Sequence, residues 1–105
     1  MAALIALCTC PDAATADRIA RTLVDERLAA CVNRLPGVES TYRWNGAVQV
    51  DEEVLLVIKT SRARYEALEA RVVALHPYEV PEVIAIPIEG HAPYLAWIAK
   101  ETRPE

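Results

Sequence analysis

The sequence predicts an α+β fold, a single sheet with helices packed on it, and three observations carry that prediction. Apolar residues alternate with period two in four segments. Two longer segments carry apolar residues at helical spacing. The dipeptide Asn45-Gly46 separates two of the alternating segments and tolerates the positive φ angles of a tight hairpin turn.

Leu4 to Thr9 is a short apolar run bounded by Pro11-Asp12 and reads as the first strand. Leu4, Ala6 and Cys8 share one face, and Ile5, Leu7 and Thr9 the other, so both faces are apolar and the strand is central. Asp12 to Leu28 follows as a helix, with Ala16, Ile19, Ala20, Leu23 and Val24 on its apolar stripe and Asp12 as its N-cap. From Ala30 to Trp44 the period returns to two. Pro36-Gly37 predicts a kink or bulge in that arm. Ala47 to Thr60 is the returning arm, most apolar from Val54 to Ile58. Ser61 is expected to cap a second helix carrying Tyr65, Leu68, Val72 and Leu75. His76-Pro77-Tyr78 ends it, because the residue before proline is pushed out of the helical region. Val80-Pro81 is extended, and Val83 to Ile88 is a fourth strand whose prolines suit an edge. Gly90 to Glu101 holds a last short helix. The order β-α-β-β-α-β-α is the ferredoxin-like arrangement plus a terminal helix.

The 105 residues fit one domain, residues 1–105, long enough to bury a core without a staple. With 53% hydrophobic and 25% charged residues the chain is globular. A net charge of −4 and scattered basic residues argue against nucleic acid, which needs a clustered basic face. No apolar run approaches a membrane span, and no basic segment precedes the first apolar run, so a cytoplasmic protein without membrane contact is expected. Three cysteines, an odd number, fit free thiols, metal ligands or small core residues better than a disulfide framework.

Each hairpin arm runs roughly 14 residues, about 45 Å at ~3.3 Å per residue. A compact domain of this length measures about 35 Å across. The hairpin therefore overshoots its own domain, and Tyr42, Trp44, Val48 and Val50 on its outer part are expected to be covered by another subunit.

Several blocks resemble the CutA divalent-cation tolerance family. They are Thr9-Cys10-Pro11-Asp12, Leu28 to Asn33, Pro36-Gly37-Val38, Tyr42-Arg43-Trp44-Asn45-Gly46, Lys59-Thr60, Leu75 to Glu82, and Tyr94 to Ile98. The resemblance runs over nearly the whole chain. It implies a homotrimer of ferredoxin-like subunits, similar in fold to the PII regulatory proteins, linked to tolerance of divalent metals, notably copper. It also implies copper ligation at Cys8, Cys31 and His76. Thiolates and an imidazole suit Cu(I) or Cu(II), and zinc less selectively. The competing reading is that Cys8 and Cys31 are small buried hydrophobes in apolar strands.

Cys10, two residues past Cys8, is a further candidate because both point the same way if the strand continues. His76, Tyr78, Glu79 and Glu82 form a polar loop suited to a hard cation or a small ligand near a subunit cleft, or to bonds with neighbouring backbone. That cleft is the alternative reading: a PII-like regulatory or scaffolding module that holds a ligand or partner there. Asp51-Glu52-Glu53 reads as a solvated strand face. Trp44 and Trp97 read as interface or core anchors. No G-x-S-x-G, H-E-x-x-H or Walker loop is present, and a non-enzyme is expected.

Overall fold

The computed structural model describes residues 2–104. Strand β1 spans Ala3–Cys10, β2 Cys31–Trp44, β3 Ala47–Ser61 and β4 Ile84–Ile88. The helices are α1 (Ala13–Asp25), α2 (Tyr65–Leu75) and α3 (Ala92–Glu101). They build one antiparallel sheet in the order β2-β3-β1-β4, so the apolar-on-both-faces strand β1 is central as its sequence implies.

Alternation along β1 and β3 divides the sheet cleanly. Ala6, Cys8 and Cys10, with Val54, Leu56 and Ile58, turn to one face and are buried under Ile19 and Leu23 of α1 and Leu68 and Val72 of α2. Ile5 and Leu7, with Leu55 and Val57, turn to the other face. There α3 covers one end only, through Ile98 packed with Ala3 and Ala30. The rest of that face is open: Ile84 and Ile86, which pair with Leu7 and Ile5, are each 54% exposed.

Local chemistry sets the element ends. Asp12 accepts a 2.8 Å bond from the Thr15 amide and caps α1. The helix stops at Asp25, three residues before the Leu28 expected from the apolar stripe. Arg27 adopts φ 60, and Leu28 and Ala29 both bond back to the Leu23 carbonyl, a left-handed C-terminal closure made here without glycine. Ser61 does not cap α2. It is the last residue of β3, its hydroxyl accepts from Thr102, and a short 3₁₀ turn (Arg62–Arg64) precedes α2.

The hairpin turns at Asn45-Gly46 with φ 50 and 79, as that dipeptide requires. Its register slips between Leu35 and Val38, where Gly37 has φ 75, so Pro36-Gly37 forms the expected bulge. β1 pairs with β3 only as far as Val54, and the hairpin beyond that point has no third strand. The molecule is accordingly elongated, 44 Å by 25 Å by 21 Å. Val48 and Val50 on the overhang are more than 60% exposed, and Tyr42 and Trp44 are about 40% exposed.

Two outcomes are expected. Leu56→Ala, which empties a fully buried position, lowers stability by about 2–5 kcal/mol in denaturant unfolding at fixed chain concentration. Acid sensitivity follows from two carboxylates. The Thr15 amide bond holds Asp12 below its ordinary value of 3.8. Arg34, then Arg21, hold Asp17 below the same value. The folded state therefore binds fewer protons, so this stability is full above pH 3.8 and is lost as pH falls through the folded values. The Asp12→Asn, Asp17→Asn double variant should lose less stability than wild type on acidification from pH 5 to about pH 2, read by thermal unfolding.

Candidate metal centre and adjoining cleft

β1 carries Cys8 and Cys10 to the helix-covered face, and the chain leaving α2 brings His76 over the same strand end. Their ligand atoms, the two Sγ and a ring nitrogen, all lie within 4.8 Å of one another. Both cysteines are fully buried and His76 nearly so. Two soft thiols and an imidazole at this separation form a donor set that a single cation can bridge.

The cysteines share protons unequally. The hydrogen bond between them, then burial, pushes Cys8 well above the ordinary thiol value, and the carboxylates of Glu82 and Glu53 add to the rise. The same bond pulls Cys10 down. His76 is held at both ring nitrogens. Nδ1 accepts from the Tyr78 amide at 3.2 Å. Nε2 therefore carries the proton and donates to the Thr9 carbonyl at 2.8 Å. A cation taking His76 must release one of these bonds.

Of the expected ligand set, Cys8 and His76 come together within the chain, with Cys10 beside them, and Cys31 does not join them. Cys31 pairs with Lys59 and Cys8 with Leu56. Lys59 and Leu56 are three residues apart on β3, so they face opposite sides of the sheet. Cys31 lies instead against Tyr94 of α3. There burial, and then Cys31 itself, raise the Tyr94 phenol. Cys10 is the second thiol near Cys8 and His76, and strand alternation was the signal for it.

Next to this centre the overhanging hairpin and the 77–82 segment enclose a cleft of about 690 Å³. Its walls hold three aromatic rings (Tyr42, Trp44, Tyr78) and three carboxylates (Glu53, Glu79, Glu82), with no Lys, Arg or His. Glu53 departs from the expected solvated acidic run. It is only 7% exposed, because the 77–82 segment crosses it and the Tyr78 hydroxyl donates to it at 2.7 Å. Burial and this bond raise the Tyr78 phenol above its ordinary range. Asp51 and Glu52 remain exposed, Asp51 accepting from the Tyr42 hydroxyl. Trp44 and Trp97 are not core residues. Both stay about 40% exposed, Trp97 stacked on Tyr94 with ring centres 5.5 Å apart.

Comparison with known proteins gives the lineage of this architecture. Residues 4–101 match the family model described as CutA1 divalent ion tolerance protein. The divalent-cation tolerance protein CutA of Thermus thermophilus is 50% identical over 99 residues, covering 93% of this chain and 96% of that protein. Human protein CutA is 49% identical over 92% of this chain, which spans 55% of that longer protein. Among solved structures, CutA from Xylella fastidiosa superposes with a TM-score of 0.94 at 46% identity, covering 96% of this chain and 98% of that one. CutA1 from Oryza sativa superposes at 0.95 with 45% identity, covering 98% and 95%. A ferredoxin-like sheet with an overlong hairpin, shared over this length and at this identity, establishes that the chain belongs to the CutA1 divalent ion tolerance family.

Proposed function

We propose that this protein is a cytoplasmic homotrimer that binds copper, or a similarly soft cation, and contributes to metal tolerance by binding rather than catalysis. The convergence of Cys8, Cys10 and His76 within 4.8 Å carries the reading. Two sulfurs and one imidazole prefer Cu(I) over hard divalent ions, and no carboxylate belongs to the group. The relatives' names point the same way, the Thermus thermophilus protein being called a divalent-cation tolerance protein. Three free thiols fit a reducing compartment.

The trimer rests on unsatisfied surface. Ile84, Ile86 and Leu35 on the open face, with Val48 and Val50 on the overhang, leave more apolar area in water than a lone small domain tolerates. The paired strands of the overhang also offer free edges. Packing against neighbours removes both.

A second reading, a PII-like module that holds a small ligand or partner at a subunit cleft, is favoured by the enclosed space between the hairpin and the 77–82 segment.

Titration of the reduced protein with Cu(I) against a chromophoric chelator is expected to show one copper per chain. Cys8→Ala, Cys10→Ala and His76→Ala should each weaken binding by about 100-fold or more, and Cys31→Ala by less than about threefold. Equal loss in Cys31→Ala, or no saturable binding in wild type, would contradict the site. Because Cys8 holds its proton tightly, binding expels it, and affinity should rise by about tenfold per pH unit between pH 6 and 8 for each proton released. In sedimentation equilibrium the wild type should run at three chain masses, and Ile86→Glu should shift it toward one; a stable wild-type single chain at micromolar concentration would remove the trimer.

A further inference from the structure

The cleft wall contains an electrostatic imbalance. The Glu53 residue is more than nine-tenths buried, and among the described residues the one hydrogen bond to its carboxylate comes from a neutral phenol. Among the described residues no Lys, Arg or His forms an ion pair with it. A buried carboxylate is ordinarily offset by a cation, because desolvation penalises an isolated charge heavily. Here the balance runs the other way, since Glu79 and Glu82 add two more acids to the same walls.

The rest of the lining says which kind of cation fits. Tyr42, Trp44 and Tyr78 present aromatic rings, whose negative faces attract organic ammonium groups, and these give up their water more readily than a hydrated metal ion does. The volume of about 690 Å³ is far larger than one ion needs and lies within the range of small-molecule sites. Carboxylates at three points of one space favour several N–H donors over a single quaternary head, which donates no hydrogen bond.

We propose that the cleft between the β2–β3 hairpin and the 77–82 segment is a binding site for a linear organic polyamine, with Glu53 as the buried counter-charge and Trp44 and Tyr42 as stacking walls. This rests on the second reading given above, that the cleft holds a small ligand, and is independent of copper. One ammonium meets Glu53 beneath Tyr78, the alkyl stem lies along the rings, and the outer ammonium meets Glu79 or Glu82 at the rim. Binding is non-covalent.

Spermidine is the probe, titrated calorimetrically into the intact, metal-free assembly at constant ionic strength. Wild type should bind it saturably. Glu53→Gln should bind at least about tenfold more weakly, reflecting loss of a charge-assisted contact. Trp44→Leu should also weaken binding, whereas Asp25→Asn on the exposed side of α1 should leave it unchanged. Native mass spectrometry of each variant verifies the assembly, so a misfolded variant is not mistaken for a lost contact. Equal weakening by Asp25→Asn and Glu53→Gln would overturn the proposal, because binding would then follow overall charge. If spermidine fails to bind while native mass spectrometry of protein drawn from cells shows another small molecule released on Glu53→Gln, the polyamine assignment falls and the ligand-cleft reading stands. If neither spermidine nor any cell-derived molecule is held, both fall.

Discussion

A sheet covered along one face by two helices, and on the other at one end only, is the constraint from which the rest of this molecule follows. Strand side chains alternate, so every residue of β1 and β3 is committed to the covered or the open side by its parity. On the covered side parity places Cys8 and Cys10 together under the helices, where His76 meets them at the end of α2. On the open side it places Ile5, Leu7, Ile84 and Ile86, an apolar surface that α3 shields at one end only. A one-residue slip in β1 would exchange these two sets, bringing the thiols to the open face and destroying the centre. The dense apolar packing of Leu56, Ile58, Ile19 and Leu23 is what fixes the register.

The second consequence is the overhang. Because β1 ends at Cys10, the hairpin beyond Val54 is a two-stranded ribbon, and the segment that leaves α2 crosses its base. That segment is held in three ways. His76 bonds to the β1 carbonyl of Thr9, its ring stacks near Tyr78 at 4.6 Å, and Tyr78 reaches Glu53 on β3. The buried centre and the cleft thus share one stretch of backbone.

The sequence carried the element order plainly. Period-two and helical spacings, the Asn45-Gly46 turn and the Pro36-Gly37 bulge each correspond to local backbone chemistry, and the structure contains them all. The end of α1 was hidden because its left-handed closing residue is Arg27, which carries no glycine-like signal. Ser61 misled because a good cap residue can equally end a strand. The site was half legible. Cys8, Cys10 and His76 were all visible as candidates, and spacing alone aligned the two cysteines. That Cys31 faces away from Cys8 follows from its pairing with Lys59, a long-range register that single-sequence patterns do not carry. Glu53 was obscured for a similar reason: within Asp51-Glu52-Glu53 nothing local distinguishes it, and only the crossing of the 77–82 segment buries it.

X-ray absorption at the copper edge tests the parity argument most directly, because it reads the donor atoms themselves. The Cu(I)-loaded protein is predicted to show two sulfur scatterers and one nitrogen scatterer, a spectrum unchanged in Cys31→Ala and reduced to one sulfur in Cys10→Ala. A spectrum that loses sulfur in Cys31→Ala and is indifferent to Cys10 would contradict the account, since the two thiols of the centre would then lie on opposite faces of the sheet.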